Sequence, residues 1–167
     1  MIFYLLIILI VIQRITELVI SNRNSKWLTE NGANEYGQSH YKFIVILHVS
    51  YILSMIAEYN LKPVHSKFDV INYLFLVFFI ILQTARISVI RSLGRYWNTR
   101  IFRIEGKDLI KTGLYKYFRH PNYIIVICEI FTVPMIFDLY YTAIIFSVLN
   151  AVVLSVRIKE ENRILKL

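Results

Sequence analysis

From Ile2 to Ile12, and again from Tyr73 to Leu82, every side chain is apolar, so a helix built on either stretch has no polar face to turn toward water. A soluble core can hide one such helix; several at once need lipid around them. The 57% hydrophobic content agrees, since soluble domains hold about 45–50%. Residues 1–167 therefore read as one all-α integral membrane domain.

Five spans can be drawn: Ile2–Ile20, Phe43–Tyr59, Val70–Ser92, Tyr123–Phe137 and Tyr140–Val156. The first three form an N-terminal part, 1–92, and the last two belong to a C-terminal part, 93–167. Only Asp138 and Leu139 separate spans four and five, which predicts a tight antiparallel hairpin, and Pro134 suits a helix that kinks or ends beside that turn. Asn22–Tyr41 reads as a polar connection with two glycines, Gly32 and Gly37. The apolar start carries no basic n-region before Ile2 and no small-residue cleavage site, so it is expected to stay as a first helix.

Charge orients the spans. The segment Arg86–Arg119 is strongly basic, and Arg157, Lys159, Arg163 and Lys166 follow the last span. Both belong on the cytoplasmic side of the cell membrane, with Arg23 and Lys26, while Lys62, Lys67 and Asp138 fall outside. The net charge of +8 sits at the ends of apolar runs and not along one solvated surface, which points to lipid headgroups and away from nucleic acid. Cys128 stands alone, so no disulfide and no cysteine-based metal site is available; His40, His48 and His65 are too scattered for a zinc site.

Polar residues inside such spans need partners. Arg14 and Glu17, three apart, can pair on one face of the first helix. Glu58 is placed to reach the outer interface, and Gln83 and Asn150 can bond between helices. Glu129, about six residues into span four, requires a partner or a proton. Arg157 and Glu161 lie four apart and share a face, with Glu160 turned partly away. Taken alone they read as an exposed salt bridge. Folding the hairpin brings His120–Tyr123 beside Arg157–Glu161, which gathers an imidazole, a phenol, a cation and carboxylates at a membrane edge. No glycine-framed serine elbow, P-loop or dinucleotide-binding glycine motif accompanies them.

Gly113-Leu114-Tyr115, Arg119-His120-Pro121-Asn122-Tyr123, the hairpin, and Arg157 with Glu160-Glu161 and Leu165 together resemble the isoprenylcysteine carboxyl methyltransferase family and related small membrane methyltransferases. Leu93-Gly94-Arg95-Tyr96-Trp97 upstream of Gly106 extends the likeness, so that it covers about Leu93–Leu165. Glu17, Arg23 and Trp27 with Gly32, Glu35 and His40 are similar to the first loop of short bacterial members. The subgroup most resembled O-methylates alkylpyrones beside type III polyketide synthases.

The resemblance implies an enzyme using S-adenosylmethionine in a cytoplasmic pocket closed by the last two helices. By motif position, His120 and Tyr123, with the backbone near Leu114 and Tyr115, would hold the cofactor's amino acid and adenosine. Glu161 would bind its hydroxyl or amino groups. Arg157 would orient an anionic acceptor oxygen, and Arg119, Asn122, Glu129 and Glu160 would support the loop or the substrate. No metal is implied. The expected partners are the bilayer and a lipophilic acceptor, a long-chain phenol or pyrone, and a homodimer through the first spans is compatible with the pattern. Three other functions also fit: a phospholipid-amine N-methyltransferase, with Glu129 or Glu160 taking a proton, an NADPH-dependent membrane reductase, and a non-catalytic adaptor.

Overall fold

The computed structural model describes residues 1–63 and 68–165. His65, Lys67 and Lys166 lie outside the described residues, as does the side chain of His40. Five helices carry the fold: α1 (Ile2–Glu30), α2 (Gln38–Leu61), α3 (Val70–Leu93), α4 (Pro121–Met135) and α5 (Tyr140–Leu165). Four are long and apolar enough to cross a membrane, and α4, with 15 residues, is a shorter apolar helix. A two-stranded antiparallel ribbon, β1 (Asn34–Tyr36) with β2 (Ile101–Arg103), is the only sheet among the described residues.

The helix starts follow from local chemistry. Asp69 caps α3, its carboxylate accepting from the backbone of Ile71 and Asn72 at 2.9 and 3.0 Å while the Asn72 side chain accepts from Asp69 N–H at 2.9 Å. Pro121 opens α4, where its missing N–H costs nothing. The start of α5 is capped from another helix: the Glu58 carboxylate of α2 accepts from Tyr141 and Thr142 N–H at 3.1 and 2.7 Å. Glu58 thus pins α2 to α5 and does not merely reach the interface. Asp138, at φ 55°, makes the left-handed turn of the α4–α5 hairpin and accepts from Asn72 Nδ2 at 3.0 Å.

Helix α1 runs about ten residues past its expected end at Ile20, so Asn22–Glu30 is helix and not connection. The extension has a use: Ser21 and Asn24 are buried against the segment that follows α3. Asn24 Nδ2 donates to Trp97 O at 2.6 Å, and Ser21 Oγ accepts from Thr99 N–H at 3.1 Å.

In the bundle α4 packs between α3 and α5, and α2 packs on α5. The core joins Phe3 and Ile10 of α1, Met55 of α2, Phe79 of α3, Val133 of α4 and Phe146 of α5. Outward, Ile8, Ile80 and Ile144 remain more than half exposed, as lipid-facing side chains should. Gly37 leads into α2 at φ +67°, a conformation that favours glycine, and a Cβ there would meet the Ile101 side chain tightly at 3.3 Å and Glu160 in ordinary contact at 3.7 Å, where the ribbon lies against the end of α5. One end of the bundle therefore collects the ribbon, the start of α4 and the last turns of α5.

Candidate functional site

At that end His120 is the residue before Pro121, and Tyr123 sits in the first turn of α4. Their rings lie nearly parallel with centroids 5.4 Å apart. Facing them, α5 presents Arg157, Glu161 and Asn162. The Tyr123 hydroxyl donates to Glu161 and accepts from Arg157 Nε at 3.1 Å. His120 bonds Asn162 Oδ1 at 2.8 Å through Nε2 and approaches Glu161 Oε1 at 3.6 Å through Nδ1. Glu161 raises the His120 pKa above its ordinary 6.5 against the opposing effect of burial. Burial, helped by Glu161, holds the Tyr115 phenol far above its usual range, so it stays neutral.

Arg157 is 4% exposed, yet no carboxylate among the described residues pairs with it. The expected salt bridge to Glu161 does not form, because the Tyr123 phenol stands between them. Its Nη2 donates to Thr99 O at 2.9 Å, and its Nη1 is buried with no partner. Asn122 Oδ1, one residue before Tyr123, is likewise buried without a donor. A cation and an acceptor left open in this way suit a ligand with both anionic and protic groups.

Of the residues singled out from sequence, His120, Tyr123, Arg157 and Glu161 meet directly. Leu114 and Tyr115 lie in a 3-10 turn, Gly113–Lys116, half-buried against the end of α3. Arg119 is exposed, and Glu160 pairs with exposed Arg163 at 2.5 Å. Glu129 belongs to a separate cluster deeper in the bundle. Its Oε1 accepts from Gln83 Nε2 at 2.8 Å and Arg86 Nε at 3.0 Å, and its Oε2 accepts from Arg86 and from Arg14 Nη2 at 2.7 Å. Arg14 also meets Glu17 at 2.7 Å, as the i,i+3 spacing predicts. Thr99, Asn162 and the Ser21–Asn24 clasp were not anticipated. The polar residues Ser21, Asn24 and Ser25, spaced along one helical face, were the only readable sign.

Residues 73–167, more than half of the chain, match the model of the Isoprenylcysteine carboxyl methyltransferase (ICMT) family. A Bacillus subtilis (strain 168) protein, YpbQ, described as uncharacterized, is 39% identical over 98% of this chain and 96% of its own length. An uncharacterized Haemophilus influenzae (Rd strain) protein is 30% identical over 89% of this chain and 86% of its own. No solved structure matches.

Proposed function

The chain belongs to the isoprenylcysteine carboxyl methyltransferase family of membrane methyltransferases, and on that premise we propose that it transfers a methyl group from S-adenosylmethionine to an oxygen of an amphiphilic, membrane-partitioned acceptor. The observation that carries the choice of acceptor is Arg157: a buried guanidinium whose partners, a phenol and a backbone carbonyl, are neutral, and whose Nη1 is open. Such a group is stabilised by an anion, here a carboxylate or an acidic enol such as a hydroxypyrone.

The open acceptors fit the protic groups of the cofactor, its ammonium and its hydroxyls. Asn122 Oδ1 and the Glu161 carboxylate offer acceptors, and the His120 and Tyr123 rings offer flat faces. When bound, S-adenosylmethionine supplies an electrophilic sulfonium methyl, which passes to the acceptor oxygen as the C–S bond breaks and the C–O bond forms. This chain's residues then have two tasks: to hold the oxygen in line and to exclude water. Arg157 would hold the oxygen, fixed in turn by Tyr123 and Thr99. An acceptor that is already an anion needs no base.

That last point weighs against N-methylation of a phospholipid amine, whose ammonium must first lose a proton. Glu129 already accepts four hydrogen bonds, and Glu160 is tied to Arg163. In this reading α4 completes a fifth crossing, and the basic segment around the site faces the cytoplasm, from which the cofactor arrives.

Titrating detergent-purified protein with S-adenosylmethionine and with NADPH tests the reading. We expect the first to bind and the second not; binding of neither by folded protein sinks the enzyme. Incubating membranes with isotopically labelled methyl donor and extracting the lipids then identifies the acceptor.

A further inference from the structure

Beneath the site, the helices enclose a second polar place. A cavity of about 30 Å³ is lined by Gln13 and Arg14 of α1, His48 of α2, Gln83 of α3 and Glu129 of α4, with Ile52 and Val133 among its apolar walls. Glu129 lies six residues past Tyr123 on α4, so the cavity sits about 9 Å deeper along that helix.

The chemistry of its lining restricts the occupant. Arg14 and Arg86 face Glu17 and Glu129, two cations against two anions, so the cluster is already neutral and an ion would leave a net charge in a low-dielectric interior. What remains open is neutral hydrogen-bonding capacity. The amide nitrogens of Gln13 and Gln83 are turned to Glu17 and Glu129, leaving their oxygens without a donor among the described residues. His48 bonds the Ile44 carbonyl at 2.8 Å through Nδ1, which must therefore carry the proton; the neutral ring keeps Nε2 as an acceptor. Arg14 donates through Nη1 and Nη2 and has N–H groups to spare. The cavity thus asks for one small group that both gives and accepts a hydrogen bond, and its volume is that of about two waters.

The direction of its opening decides where that group comes from. Arg14 keeps 26% of its side chain exposed, and its neighbours Ile12 and Ile15 are 55% and 56% exposed on a helix surrounded by lipid. The exposed part of Arg14 therefore lies among the apolar side chains of the helix's outer face. We propose that the cavity is a lipid-facing subsite for the hydroxyl group of a membrane-dissolved amphiphile, whose oxygen accepts from Arg14 while its proton goes to His48 Nε2. The apolar walls take the methylene next to the hydroxyl, and the rest of the chain stays outside the cavity. This subsite does not depend on methyl transfer, and its test does not use it.

The test is photolabelling of the intact protein in lipid nanodiscs with a dodecanol carrying a diazirine near its hydroxyl, mapped by peptide mass spectrometry. Labelling is expected at the α1, α2 and α4 segments that line the cavity. Plain dodecanol should compete at least about fivefold better than dodecyl methyl ether, the worth of one net hydrogen bond. His48→Phe should lower cavity labelling by a similar factor and His48→Gln, which keeps an acceptor, should restore it, with circular dichroism confirming that both variants fold. Equal competition by the ether overturns the proposal. So does labelling confined to the outer lipid-facing surface, which would leave the cavity to water alone.

Discussion

Arg157 and Glu161, four residues apart on α5, do not touch: the hydroxyl of Tyr123 lies between them, donating to the carboxylate and accepting from the guanidinium. One phenol therefore sets the position of both charged groups, and their tasks can be separated by mutation. Arg157→Ala is expected to lower methyl transfer by about a hundredfold or more, as loss of a positioned charge at a reacting oxygen does. Cofactor affinity should change by no more than about threefold, well under one hydrogen bond to a charged group. Single-turnover rates beside binding isotherms check both.

Glu161→Ala should show the opposite split. Removing a carboxylate that serves His120 and Tyr123 is expected to weaken S-adenosylmethionine binding by about tenfold or more, the value of a hydrogen bond to a charged group. Calorimetric titration reads it directly, and unchanged affinity would show that Glu161 is only a brace for the helix pair.

His120 makes the fold sensitive to pH. Its pKa is raised above 6.5 by Glu161, so the imidazolium–carboxylate pair contributes stability that is fully present below 6.5 and is lost as pH rises through the raised value. The thermal midpoint in detergent should therefore fall as pH rises above about 6.5. His120→Gln should flatten that slope.

The deeper cluster predicts a strong asymmetry between single and double changes. Glu129→Leu alone leaves Arg86 buried beside Arg14 with one carboxylate for two cations, and should destabilise by about 3–5 kcal/mol. Adding Arg86→Met restores neutrality through Arg14 and Glu17 and should recover most of the loss. Unfolding in mixed micelles measures the cycle.

Ser21 reaches the site at second hand. Its hydroxyl accepts from Thr99 N–H, and Thr99 O accepts from Arg157, although Ser21 lies outside the segment that matches the family. Ser21→Ala should lower turnover by about fivefold, the worth of one net hydrogen bond, with cofactor affinity unchanged. Ser21→Thr should rescue it, since the hydroxyl is kept.

How far the sequence reached follows from the distances involved. His120 and Glu161 are neighbours because the short connection from Ile136 to Leu139 permits only a tight hairpin between two helices, and a short loop fixes partners without knowledge of the rest. The partners of Glu129 lie on α1 and α3, 115 and 43 residues away, and nothing local says which helices flank α4. The ribbon is illegible in the sequence for a similar reason: three-residue strands carry too little pattern, and β1 finds β2 only after the helices are placed. Helix α1 outruns its expected end because polarity alone does not separate a loop from a helix whose Ser21 and Asn24 bind the chain after α3.

The brevity of α4 has a physical outcome for the bilayer itself. Fifteen residues rise about 22 Å, some 8 Å less than a typical hydrocarbon layer. On the proposal that α4 makes a fifth crossing, the lipids beside it would have to thin to match it, and the end with His120 and Asn162 is where the deficit would be cheapest, since those groups accept water. A solute held there would then rest at the depth where acyl chains begin, in a dimple of the membrane surface. Within it, a water-soluble donor and a molecule dissolved in lipid can come into contact without either leaving its own phase.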